Sequence, residues 1–126
     1  MAKKRVLIIG EDPALIEFDA PDAPKDMSAA KVMDGLNGSV ARLQAVGHEA
    51  ELLLTQDAAS VEAQVSRTVH GRSYDVIVIG AGLRTLPKMT GQFEQLMNVL
   101  RDKSPKSKLA FNSRPDDSDA AALRWL

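Results

Sequence analysis

The sequence contains no cysteine. That excludes disulfides, thiolate nucleophiles and cysteine-based zinc or iron–sulfur sites, and it fits a reducing cytoplasm. Aromatic residues make up only 4%, so a core must be built from valine, leucine, isoleucine and alanine. An aliphatic core of that kind suits a helix-covered parallel sheet better than an aromatic-rich barrel. Charge of neither sign is in excess, with 16 Lys and Arg against 17 Asp and Glu and a formal net charge of −1. That balance argues against a nucleic-acid binder working through a general basic surface. The one basic run, Lys3-Lys4-Arg5, reads as a solvated tail. Long hydrophobic runs are also lacking. Val6-Leu7-Ile8-Ile9 is too short for a signal h-region and far short of a bilayer span. The expectation is a cytoplasmic protein with neither a membrane nor a nucleic-acid partner.

What is present is a chain of 126 residues, 44% of them apolar, which is one domain over residues 1–126 by size. Tyr74-Asp75-Val76-Ile77-Val78-Ile79 holds four consecutive β-branched residues, the mark of a strand buried on both faces. Arg5–Gly10, Ala50–Thr55 and Lys108–Phe111 read as further strands. Between them lie helical patterns. Ser28 is placed to cap a helix running to about Val46, with Val32, Leu36, Val40 and Leu43 on one stripe and Gly47 at its end. Gly35 and Gly38 lie inside that helix. Each costs about 1 kcal/mol relative to alanine, which implies close approach to another backbone, in the sheet or in a partner subunit. Asp57 is placed to cap a helix carrying Val61, Val65 and Val69, ending at Gly71. A third helix runs from about Thr90 to Asp102, and a last one, with N-cap candidates from Asp116 to Asp119, ends in Trp125-Leu126. Residues 11–27 form a long acidic loop with three prolines, well beyond the ~4–6 residues of an ordinary connection.

The order βαβαβαβα implies parallel strands and right-handed crossovers. The fold class is therefore α/β, a three-layer α/β/α sandwich with four parallel strands in the order 2-1-3-4. It is Rossmann-like in its winding and corresponds to a flavodoxin-like or receiver-like sheet without its fifth strand. In that order the crevice opens between the carboxyl ends of the first and third strands. It is lined there by Gly10, Glu11 and Asp12 and by Gly80, Ala81, Gly82, Arg84 and Thr85, with Asn112, Ser113 and Arg114 at the same edge.

Familiar motifs fit this edge poorly. Gly80-Ala81-Gly82 begins like a dinucleotide fingerprint, but Thr85 stands where the third glycine belongs, and Pro87 delays the helix. Glu11-Asp12-Pro13-Ala14 lacks the Ser, Thr and Gly residues of a flavin phosphate loop. Glu11 and Asp12 are placed like the magnesium-holding acids of a receiver, yet Gly80 occupies the phosphoacceptor position, so they read as loop acids and no metal site is assigned. His48, His70 and Ser113 lack partners at catalytic spacings. The catalytic residues and the cofactor stay open.

Ala14-Leu15-Ile16-Glu17-Phe18 with Pro21 and Pro24, Gly80-Ala81-Gly82-Leu83-Arg84-Thr85, Phe111-Asn112-Ser113-Arg114-Pro115 and Arg124-Trp125 together resemble a group of small stand-alone bacterial proteins without an assigned function. The resemblance covers most of the chain. It implies a complete protein in which the glycine turn and the Asn112 edge belong to one site, and it supplies no activity. Two functions follow as expectations. The first is a small-molecule binder, with enzyme activity left open, for an anionic or phosphate-containing ligand over Gly80–Gly82. Arg84 pairs with its charge, Glu11 or Asp12 handles a hydroxyl or proton, and Asn112 and Ser113 orient it. The second is a non-catalytic receiver-like interaction module whose partner surface is the 11–27 loop and the glycine-bearing first helix, with Leu15, Ile16 and Phe18 packing across a homodimer or against another protein.

Overall fold

The aliphatic runs become strands because they can be covered on both faces, fully in Val6–Ile9 and Val76–Ile79 and partly in Leu52–Leu54. In the computed structural model, which describes residues 3–21, 23, 25–56 and 61–126, β1 (Arg5–Glu11), β2 (Glu49–Thr55), β3 (Val76–Ile79) and β4 (Lys108–Phe111) form one sheet. Its order is β2-β1-β3-β4, and every pairing is parallel. Ile8 lies opposite both Leu52 and Val78, and Ile79 lies opposite Phe111. Asp57, expected to cap the second helix, lies outside the described residues, as do Asp22 and Pro24 of the long loop.

Strand alternation divides the core in two. Leu7, Ile9, Ile77 and Ile79 pack with Val61, Val65 and Val69 of α2 (Val61–Val69) and with Leu96 and Leu100 of α3 (Thr90–Lys103). Val6, Ile8, Val76 and Val78 pack on the other face with Leu36 and Leu43 of α1 (Ala29–Ala45) and with Ala121 and Ala122 of α4 (Ser118–Leu123). These are the three layers.

The helix ends follow their punctuation. Ser28 Oγ accepts from the Lys31 amide at 3.2 Å at the start of α1, and Gly47 takes φ +93° beyond its end, a conformation that favours glycine. Gly35 is explained by contact within the chain. A Cβ there would lie 2.9 Å from both the Asp116 nitrogen and Pro115 Cβ, so α1 seats directly on the 3₁₀ turn Pro115–Asp117. Ser39 Oγ and Arg42 tie that turn down, donating to Pro115 O at 3.1 Å and to Asp116 O at 2.7 Å.

Two boundaries differ from expectation. β3 begins at Val76 rather than Tyr74, since Tyr74 turns its hydroxyl to Glu51 at 2.7 Å and Asp75 receives the Arg5 amide at 2.8 Å. α4 stops at Leu123, before Trp125-Leu126, where the Arg124 guanidinium donates to Phe111 O at 3.0 Å. The long loop is partly organised by a 3₁₀ turn at Pro13–Leu15, and Phe18 and Met27 pack against the α1 face of the core.

Candidate functional site

The carboxyl edge of β1 and β3 ends in small residues, so the chain there cannot fill the space above the sheet with its own side chains. Gly80 is tightly packed on β1, since a Cβ on it would stand 3.2 Å from Ile9 O and 3.5 Å from Gly10 Cα. After it the chain makes a 3₁₀ turn at Ala81–Leu83. Asn112, at the end of β4 and buried, fixes that turn. Its Oδ1 accepts from the Ala81 amide at 2.8 Å, and its Nδ2 donates to Ser118 Oγ at 2.9 Å. Ser118 Oγ in turn donates to Pro115 O at 2.9 Å. One side-chain amide therefore links the β3 turn, β4 and the start of α4.

Above this edge lies a cleft of about 390 Å³, near the lower end of ordinary small-molecule pockets (~300–1,000 Å³). Gly10, Gly80, Ala81, Gly82 and Asn112 line its floor. Val32 and Leu36 of α1, with Ile16, Phe18 and Met27 from the long loop, make an apolar wall. Thr85, Leu86, Ser113, Arg114 and Pro115 complete the rim, and Lys25 reaches it from the loop. Phe18 thus joins the loop to both core and cleft.

The alternation of β1 places its two terminal residues on different faces. Gly10 falls on the α1 side, 3.6 Å from Leu36 when a Cβ is built on it. Glu11 falls on the side of α2 and α3, with its Oε2 3.6 Å from a Cβ built on Gly82. The Glu11 carboxyl is half-buried, and among the described residues no hydrogen bond reaches it. Burial pushes its pKa above the ordinary glutamate range. The Asp12 charge adds to the rise, and Lys88 partly opposes it.

Eight of the ten residues expected at the site line the cleft: Gly10, Glu11, Gly80, Ala81, Gly82, Thr85, Asn112 and Ser113. Asp12 and Arg84 do not. Asp12 caps the Pro13–Leu15 turn, accepting from the Ala14 amide at 3.0 Å. Arg84 lies against β4, with its guanidinium donating to Asn112 O and sitting 5.0 Å over the Phe111 ring. Its Nε is buried without a hydrogen-bond partner among the described residues. Thr85 Oγ1 is also used locally, donating to Ala81 O at 2.9 Å. Sequence reasoning missed Lys25, Ile16 and Phe18 as cleft residues. Their approach depends on how the loop folds back over α1, which no local spacing encodes. Among the described residues, no three His, Asp or Glu side chains come together in a metal-holding group.

No family model matches the chain, and none of the curated proteins does. Among solved structures, the chain is similar to a fragment of a candidate lipoprotein from Peptoclostridium difficile 630. The two share 14% identity with a TM-score of 0.52, over 96% of this chain and 93% of that one. At that identity the likeness is one of fold. Among the described residues, no helix is long and apolar enough to cross a membrane.

Proposed function

We propose that the chain is a small-molecule-binding protein whose ligand occupies the cleft above Gly10 and Gly80–Gly82. The observation that carries this reading is the cleft itself. It is a cavity of about 390 Å³ at the point where the strand order reverses, with an apolar wall and a few charged groups. The ligand carries an anionic group. Its counter-charges are Lys25 and Arg114, which line the rim, rather than Arg84, whose guanidinium is engaged by Asn112 O and Phe111. Its apolar part lies against Phe18, Val32 and Leu36. Kinship with flavodoxin-like or receiver-like proteins is part of this proposal, as is a cytoplasmic location, which rests on the absence of cysteine. The description of the structural neighbour as a candidate lipoprotein favours a membrane-attached location instead, and cell fractionation decides between them.

The alternative, a dimerising module without a ligand, draws on the same loop. Leu15 is 49% exposed, as a dimer contact requires. Ile16 and Phe18 line the cleft, which leaves the loop little apolar surface for a partner and favours the ligand reading. Native mass spectrometry of freshly purified protein tests both. A retained small-molecule mass supports the cleft reading. An apo dimer that becomes monomeric when residues 13–22 are deleted supports the module.

A further inference from the structure

The cleft crosses the sheet edge, and its charges are separated. Glu11 lies on the α3 side, beside Gly82. Arg114 precedes Pro115, which abuts Gly35 of α1, and Lys25 lies in the loop segment leading into α1, where Lys31 Nζ donates to Asp26 O. Phe18 and Leu36 lie in the same cleft and form its apolar wall. The turn between the two ends offers an anion little. Its Ala81 amide is taken by Asn112 Oδ1 at 2.8 Å. The Leu83 and Arg84 amides are taken by Gly80 O and Ala81 O, each at 3.1 Å. An anion on the turn would also face the Glu11 carboxylate at close range.

From this arrangement, and resting on the cleft reading above, we infer that the ligand is a zwitterion with an apolar centre, of the class of a short apolar peptide with free termini. Its ammonium sits at Glu11, its carboxylate at Lys25 and Arg114, and its aliphatic side chains lie along Phe18 and Leu36. Glu11 is a half-buried carboxyl with no hydrogen-bond donor of its own among the described residues. A ligand ammonium supplies the donor that the carboxyl lacks and adds to the partial counter-charge of Lys88. Gly82 leaves the space beside the carboxyl open, since a Cβ there would occupy the place in van der Waals contact with Oε2, at 3.6 Å. Lys25 is exposed and joins no ion pair among the described residues. The Arg114 guanidinium pairs, among the described residues, with Asp116 at 3.4 Å and largely in solvent, so both cations can meet a carboxylate at little cost.

Calorimetry with four probes tests the inference: leucyl-leucine, its N-acetyl derivative, its C-terminal amide, and octyl phosphate. Each titration is mapped on the protein's amide NMR spectrum. The dipeptide is expected to bind in the cleft, and blocking either terminus should weaken it by about tenfold or more. Glu11→Gln should weaken the free dipeptide by a similar factor and leave the N-acetyl form unchanged. A variant that merely loosened the fold would weaken both. The inference is overturned if the N-acetyl form binds as tightly as the free dipeptide. It is also overturned if octyl phosphate moves the amides of Gly10 and Gly80–Gly82 while the dipeptide does not, and in either case the cleft reading survives. If no probe moves those amides and the purified protein retains no small molecule, both readings fall.

Discussion

Two glycines in one helix offer a controlled comparison. Gly35 and Gly38 both lie inside α1, so replacing either by alanine gains about 1 kcal/mol of helix propensity. Their surroundings differ. A Cβ at Gly35 would meet Pro115 Cβ and the Asp116 nitrogen at 2.9 Å, and the Pro115 carbonyl carbon at 3.1 Å. Those are parts of a turn held by Ser39, Arg42 and Ser118, so the turn cannot rotate away and must move as a unit. Overpacking of this kind costs about 1–3 kcal/mol, and displaced hydrogen bonds add to it. The net expectation for Gly35→Ala is a loss of about 1–2 kcal/mol, or ~4–8 °C in melting temperature for a domain of this size. A Cβ at Gly38 meets only the far end of the Arg42 side chain, at 3.1 Å, and Arg42 is half-exposed. Its Nη1 must give by a few tenths of an ångström while Arg42 keeps its bonds to Asp116 O and Asp119, so Gly38→Ala should melt near the parent temperature and well above Gly35→Ala. Thermal and urea unfolding followed by circular dichroism read both. A Gly35→Ala protein as stable as the parent would refute the account of how α1 seats on the Pro115 turn. Because that turn adjoins Arg114 and Ser113, Gly35→Ala should weaken ligand binding as well.

The remaining expectations concern single polar groups. Asn112→Ala removes the acceptor for the Ala81 amide and the donor to Ser118 Oγ, and should cost about 2–4 kcal/mol in urea unfolding. Full stability in that variant would show the turn to be held by other means. The raised pKa of Glu11 means that the folded protein holds its proton more tightly than the unfolded chain. That contribution is fully present below about pH 4.5 and is lost as pH rises through the higher folded value. Glu11→Gln should remove this slope and stabilise the empty protein at neutral pH, as melting curves across pH 4–8 will show. Asp119 behaves oppositely. The hydrogen bond from Arg42 holds its pKa below the ordinary aspartate value, so its stabilisation is present above about pH 3.8 and is lost on further acidification. Asp119→Asn should flatten the acid limb of the stability curve, and an unchanged limb would show that the pair contributes nothing.

The layered sheet was legible because its strands are runs such as Val76–Ile79, whose β-branched residues fit only a doubly covered strand. The strand order followed from chain alternation and handedness, which admit few solutions. The cleft floor was legible for a related reason: strands that end in glycine leave space above them. What the sequence hid depends on side-chain direction and long-range approach. Arg84 follows the glycine turn like an anion partner, but Phe111 and the Asn112 carbonyl capture its guanidinium. Gly35 announced a close approach without naming the turn 80 residues away in the chain. Lys25 and Phe18 reach the cleft only because a proline-bearing loop folds over α1, and neither period nor motif reports that path.

The central claim is that a small molecule binds across the edge formed by Gly10 and Gly80–Gly82. Amide NMR during titration with an amphiphilic anion and an apolar dipeptide tests it most directly. The account predicts shifts clustered at Gly10, Glu11, Gly80–Gly82 and Ser113, with the remote groove between Glu62 and Glu94 silent. Shifts confined to that groove, or scattered without a cluster at the sheet's carboxyl edge, would contradict it.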